Sequence, residues 1–176
     1  MAAPRIAGSR LVQHEGQVPG ALQNAQRSWQ TRRGALLLIW DREGRMGVGE
    51  ASSLPGISGE DLSDCLRALD GIHERVAGSD AQGWPQVAGL EALPAARFAW
   101  ECAVADLWAR AQGVSVAELL GGKRSHDEVA LNALVLSLDE ASAALNRGIS
   151  TLKLKVGLRD FDAELALLRE LRAELG

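Results

Sequence analysis

From Val129 onward the sequence alternates strand, helix, strand and helix, and this order constrains the fold more than anything before it. Val129–Leu136 is a β run, and Ser137-Leu-Asp-Glu140 is a capping box opening a helix that closes at Gly148. Ser150–Val156 is the second strand. Asp160 then caps a last helix in which Phe161, Leu165, Leu168 and Leu175 share a face. Strands joined by a helix pair in parallel through a right-handed crossover. The stretch therefore predicts the first two βα units of an α/β domain.

The preceding residues follow a different grammar. Arg5–Val12 is a weakly patterned strand, and residues 14–33 read as a long polar loop rich in Gln, Asn and Arg. Ala35–Trp40 is a continuous apolar run suited to a buried strand, and Asp41-Arg-Glu-Gly44 turns it into Arg45–Glu50. Helical spacing then takes over. Ser58 and Asp61 start a helix carrying Leu62, Cys65, Leu66, Leu69, Ile72 and Val76, ending at Gly78. A loop around Trp84-Pro85 leads to a helix over 95–111, with Trp100, Val104, Leu107, Trp108 and Ala111 in one stripe. Arg97–Glu101 and Asp106–Arg110 are i,i+4 pairs on it. Ser115 and Glu118 cap a short helix stopping at Gly121-Gly122. The prediction is an α+β module over 1–125, antiparallel strands then helices, with α/β units over 126–176. A closed (β/α)₈ barrel needs about 250 residues, and this chain has 176.

Several function classes are excluded. Net charge is −4 and the arginines are scattered, so no basic stripe exists for nucleic acid. The longest apolar run falls far short of the ~20 residues of a membrane span, and residues 1–20 lack a signal-peptide core. Cys65 and Cys102 lie on predicted helices without a CxxC or histidine partner, which reads as buried free thiols in a reducing cytoplasm.

Lysine usage is the most pointed feature. Of 19 positive side chains only three are lysines, Lys123, Lys153 and Lys155. Two share one face of Thr151-Leu-Lys-Leu-Lys-Val156, with Cα atoms roughly 6–7 Å apart. The bland reading is a solvated strand edge. Against it, a generic cation in this chain should be arginine. The pair also sits at the C-terminal end of a strand in a parallel βα context, where such folds place their chemistry. Mutual repulsion and partial burial lower a lysine pKa, and a neutral lysine can take a proton from a carbon acid.

Thr151-Leu-Lys-Leu-Lys-Val-Gly157 resembles the KxK segment of the second barrel strand in the enolase superfamily, in its muconate-lactonising subgroup. Arg33-Gly-Ala-Leu-Leu-Leu with Gly47-Val-Gly-Glu-Ala51 resembles that family's capping-domain hairpin. Ala96–Leu107 with Leu119-Leu-Gly-Gly122 resembles its helical half. The resemblance implies a capping domain over 1–125 and the start of a C-terminal barrel domain over 126–176, incomplete and truncated. It implies Lys155 as acid/base with Lys153 in support, acting on a small-molecule carboxylate beside a Mg²⁺-bound enediolate. The family's metal carboxylates lie on later barrel strands, so Mg²⁺ ligands are expected beyond Gly176 and the chain alone is expected to be inactive. Loops 14–33 and 51–58 would close over the substrate, with Ser52, Ser53, Leu54 and Arg33 as contacts.

Gly49-Glu-Ala-Ser-Ser-Leu-Pro-Gly56 resembles o-succinylbenzoate synthase within the subgroup, which makes a menaquinone precursor by dehydration, although Ser53 replaces the usual first proline. Dipeptide epimerase, N-succinylamino-acid racemase and muconate cycloisomerase activities share the same lysines. A reading of another class is a non-catalytic module that associates through an unpaired strand 151–156, as a homo-oligomer or with a partner. The histidines offer less: His14 lies in the polar loop, His73 reads as solvated, and His126-Asp-Glu128 as a linker. Gly47-x-Gly49 lacks the third glycine of a dinucleotide fingerprint. The five tryptophans read as core.

Overall fold

In a computed structural model of the chain, residues 4–24, 26–76, 89–121 and 128–175 are described. The sequence readings at Gly78, Trp84-Pro85, Gly122, Lys123, His126 and Asp127 lie outside them. The chain divides into two compact units, Met1–Val18 with Thr31–Ser125, and Pro19–Gln30 with His126–Gly176.

The first strands form a three-stranded sheet in the order β1 (Ile6–Gln23), β2 (Ser28–Asp41), β3 (Met46–Ala51). The polar stretch 14–33 is therefore mostly strand, not loop. Its side chains at 13–17 are exposed, so no apolar alternation marks the strand in the sequence. Backbone pairing and the turn carry it instead: Asn24 accepts hydrogen bonds from Gln26 N at 2.9 Å and Arg27 N at 2.7 Å. β2 and β3 pair antiparallel from Ala35↔Ala51 to Trp40↔Met46. The turn between them is pinned by Asp41, 2% exposed, which accepts from Glu43 N, Arg45 N and Arg45 Nε at 3.1, 2.9 and 2.6 Å. Burial would raise the Asp41 carboxyl's pKa, but the Arg45 guanidinium and these amides outweigh it and hold it below the ordinary carboxylate value.

The helix expected to end at Gly78 is broken early. Its cap is Asp61, whose amide donates to Asp64 at 3.2 Å, and Gly71 at φ 58° splits it into α1 (Leu62–Leu69) and α2 (Ile72–Val76). Ser58 serves the preceding loop instead, where its hydroxyl accepts from Leu54 N at 2.8 Å. α3 (Pro94–Gln112) ends at Gly113, left-handed at φ 69°, and α4 (Val116–Leu119) starts at a reciprocal Ser115–Glu118 box.

α3 lies on β3 at very short range. A Cβ on Gly47 would fall 2.1 Å from the Ala103 carbonyl oxygen, and one on Gly49 would fall 1.9 Å from that of Ala99. Those glycines exist for helix–strand approach, and the helix answers with alanines at 96, 99 and 103, all fully buried. Leu37, Ile39, Cys65, Leu69, Ile72, Trp100 and Leu107 complete this core. Of the expected stripe on α3, Trp108 and Ala111 are only half-buried. Trp40 is 36% exposed, so the tryptophans are not uniformly core. Both cysteines are free, with Cys65 buried and Cys102 half-buried.

In the second unit β4 (Asn132–Val135) and β5 (Thr151–Leu154) pair in parallel, from Asn132↔Thr151 to Val135↔Leu154. α5 (Leu138–Asn146) and α6 (Phe161–Leu175) follow them. Ser137 caps α5 by accepting from Glu140 N, but the Glu140 carboxylate accepts from Leu136 N at 2.7 Å and so does not close the expected box. Asp160 caps α6 through Ala163 N at 3.0 Å. The expected inward face of α6 is corrected in part: Phe161 is 76% and Leu168 44% exposed, while Leu165 of that face is half-buried together with Glu164, Leu167 and Leu171. A leucine-rich helix offers more than one stripe at helical spacing, and packing chose the neighbouring one. The core here is Val135, Ala141 and Ala144, with Leu152, Leu154 and Leu171 against it. Among the described residues no helix is long and apolar enough to cross a membrane.

Candidate functional site

Lys153 and Lys155 stand at the C-terminal end of β5 for a simple reason. Leu152 and Leu154 turn to the Val135–Ala141–Ala144 cluster, so Lys153 between them points the other way. Lys153 is exposed, whereas Lys155, one residue past the strand, is half-buried. Lys155 Nζ donates a hydrogen bond to the carbonyl oxygen of Gln23.

Lys155 lines a cavity of about 150 Å³ with Gln23, Leu136, Leu158, Arg159 and Glu164; Lys153 does not line it. The segment after Lys155 is tied down on two sides. Glu164, in the first turn of α6, accepts from Leu158 N at 2.8 Å and Arg159 N at 3.1 Å. Backbone amides at Gly157 and Arg159 hold its carboxyl below the ordinary value. Arg159 Nη2 donates to Leu136 O at 3.0 Å, so the same segment is bound to the end of β4. Gly157 supplies the positive φ, 84°, that the turn needs.

The other expected contacts lie in the first unit and do not converge. Arg33 makes an exposed pair with Glu15 at 2.7 Å. Its neighbour Arg32 reaches the 51–58 loop, donating to Ser52 O at 3.0 Å and to Ser52 Oγ at 2.7 Å. Ser53 is 5% exposed, and Leu54 O accepts from Ile57 N and Ser58 N at 3.0 and 2.9 Å, closing the loop on itself. Ser52 alone of the expected loop contacts lines an open groove of about 470 Å³, beside Glu50, Ser58, Glu60, Ala95 and Phe98. Glu60 caps α3 through Ala95 N at 2.6 Å. His14 Nε2 pairs with Glu50 at 3.1 Å across Gly34, where any side chain would collide with the imidazole. His73 Nδ1 bonds the Ser9 hydroxyl at 2.8 Å instead of being merely solvated.

The sequence reading missed Gln23, Arg32, Arg159 and Glu164. Choosing Arg32 over Arg33 needs the strand register, because adjacent residues face opposite sides. Glu164 had a signal, an acid in the first turn of a helix that follows a glycine-containing turn, where free amides need acceptors. Among the described residues no group of three or more His, Cys, Asp or Glu is placed to hold a metal ion. Near Lys155 the carboxylate of Glu164 is already used by backbone amides. The described residues therefore do not fit a Mg²⁺ site.

No family model matches the chain. An L-Lys-D/L-Arg epimerase of Methylococcus capsulatus is 33% identical over 147 residues, covering 76% of this chain and 40% of that protein. An o-succinylbenzoate synthase of Thermosynechococcus vestitus is 29% identical over 160 residues, covering 88% of this chain and 44% of its own length. A solved mandelate racemase/muconate lactonizing protein from Herpetosiphon aurantiacus superposes with TM-score 0.81 at 23% identity, over 98% of this chain and 51% of that one. This chain belongs to the enolase superfamily. The superfamily members it matches are enzymes, and the chain spans about half their length or less. A dipeptide epimerase of Methylococcus capsulatus, solved with Mg and the dipeptide L-Arg-D-Lys, aligns with TM-score 0.72 at 27% identity over 97% of this chain and 51% of that one.

Proposed function

We propose that the chain carries the acid/base lysine of an enzyme that removes the proton next to a substrate carboxylate, with Lys155 as that base. The observation that supports this is that Lys155, half-buried, lines a cavity just past the C-terminal end of a parallel strand. The uncharged amine accepts the α-proton, and the ammonium so formed is the acid for a later step. Lys153, exposed and outside the cavity, would act through its charge on the approaching carboxylate. In this reading residues 1–125 are a capping domain and 126–176 open a barrel domain, in a cytoplasmic enzyme. Magnesium comes to this reading from the magnesium-complexed relatives. Because the described residues do not fit it, its carboxylates would come from sequence outside this chain, and no step here is routed through it.

The reaction proposed first is dehydration to o-succinylbenzoate, a lyase step, supported by Gly49–Gly56 and by the synthase relative. After proton removal, the C–O bond to the neighbouring hydroxyl breaks and water leaves with a proton from the acid. A second reading, dipeptide epimerisation, is favoured by the 33% identity to an epimerase; there Lys155 keeps the proton it takes, and a second acid, not among the residues of this site, would deliver another to the opposite face.

The test uses the complete enzyme in ²H₂O, following α-proton exchange and product from each substrate class by mass spectrometry. Lys155→Ala is expected to lower exchange by about 10²–10⁴-fold, the usual weight of a general base, and Lys155→Arg to do nearly the same. Full exchange in either variant would sink the reading. Turnover by the 176-residue chain alone would refute the expectation that essential groups lie elsewhere.

A further inference from the structure

The segment Gly157–Arg159 is held more firmly than a surface turn requires. Its amides converge on one carboxylate from α6, and its arginine crosses to the carbonyl that ends β4. These ties begin only three residues after Lys155, which lines the same cavity as Arg159 and Glu164. We propose that Glu164 is a positioning residue for Lys155, with Arg159 as its second anchor. By fixing the backbone from Gly157 to Arg159 they fix the direction in which the Lys155 stem leaves β5, and so the place of its amine in the cavity. The inference rests on the proposed role of Lys155, yet it makes a claim about placement that can be read without catalysis.

A carboxylate suits this role because it accepts several amides at once without a proton of its own to place. A glutamate in a helix's first turn also gains from the free amides and the dipole there. The neutral glutamine retains an acceptor oxygen in the same place, while alanine retains none. Position and charge can therefore be separated.

The experiment is limited acetylation of the folded chain with acetic anhydride, the modified lysines being resolved by peptide fragmentation in a mass spectrometer. Only three lysines compete, so Lys153 and Lys123 serve as internal references. Glu164→Ala is expected to raise the Lys155-to-Lys153 acetylation ratio by roughly threefold to tenfold, the range of one or two lost hydrogen bonds. Glu164→Gln should leave it at the wild-type value, and Arg159→Ala should raise it by less. An unchanged ratio in Glu164→Ala overturns the proposal, as does an equal rise in Glu164→Gln, which would mark a charge effect. If Glu164→Ala does not fold by circular dichroism, Arg159→Ala decides on the same criterion. Failure here with exchange still lost in Lys155→Ala removes the positioning role and leaves the proposed function standing. A moved ratio with full exchange in Lys155→Ala does the reverse.

Discussion

The two units bury their apolar residues to very different degrees. The first joins sheet and helices around Leu37, Ile39, Cys65, Leu69, Ile72, Trp100 and Leu107, with glycines on β3 letting α3 almost touch the strand. The second has Val135, Ala141 and Ala144 as its buried core, and leaves Val129 82%, Leu131 68%, Val156 60% and Phe161 76% exposed. Stability and chemistry are thus divided. The well-buried unit has most of the packing energy, while the lysine proposed as acid/base belongs to the sparsely packed unit and is held by hydrogen bonds to backbone. A site on a thin core needs such ties, because packing alone fixes too little of it.

The largest expected effect strikes the dense side of this contrast. Gly49→Ala places a methyl 1.9 Å from the Ala99 carbonyl oxygen, a backbone atom of a 19-residue helix that cannot give way cheaply. It should destabilise the first unit by at least about 3 kcal/mol, at the upper end for overpacking. Urea denaturation followed by tryptophan fluorescence would read this through Trp100. Gly16→Ala, with nothing within 4 Å of the added carbon, is the matched control and should be nearly neutral. Equal stability of the two variants would mean that α3 does not lie on β3 as described.

The dense unit also contains a buried ionic turn. Asp41→Asn removes the Arg45 ion pair while preserving shape, at a cost of about 1–2 kcal/mol at neutral pH. The sign of the pH dependence follows from the direction of its shift. Because the folded value is depressed, the stabilisation is present above the unfolded value of about 4 and is lost as pH falls through the lower folded value. Wild type and Asp41→Asn should therefore converge in melting temperature only once the pH has fallen below this depressed folded value. A gap that persists unchanged in acid would assign the effect to lost packing.

These contrasts also explain what could be read from sequence. The parallel β4–β5 pair and the long α3 were legible because apolar periodicity and capping residues are local signals. The hairpin Asp41–Arg45 was legible from its turn chemistry. The ribbon through 14–33 was not, since residues 13–17 are exposed and show no apolar alternation, and its turn rests on Asn24 accepting backbone amides. The face of α6 was misread at Phe161 and Leu168 because burial depends on a partner surface that periodicity does not specify. At the candidate site the lysines stood out by scarcity and Glu164 had the first-turn acid signal, whereas Arg159 acts on a backbone carbonyl, which no side-chain pattern announces.

The smallest effect compares the caps of the two units directly. Ser115 and Glu118 satisfy each other: Glu118 N donates to Ser115 Oγ at 3.2 Å, and Ser115 N donates to Glu118 Oε2 at 2.8 Å. Ser137 has the same spacing to Glu140, but that carboxylate serves Leu136 N, one residue further back. Removing Ser137 therefore frees one amide while Glu140 keeps the end of β4 attached to α5. Removing Ser115 leaves Glu118 still accepting from the same residue's backbone. Each serine-to-alanine change should cost about 1 kcal/mol or less, yet the consequences should differ in place. Ser137→Ala should speed amide exchange in α5 and at Val135, the buried strand residue beside it, because the small core has little else to hold it. Ser115→Ala should speed exchange in α4 alone and leave α3 protected by its buried face. Hydrogen exchange read residue by residue would decide, and protection lost across α3 but retained at Val135 would invert the ranking of the two units.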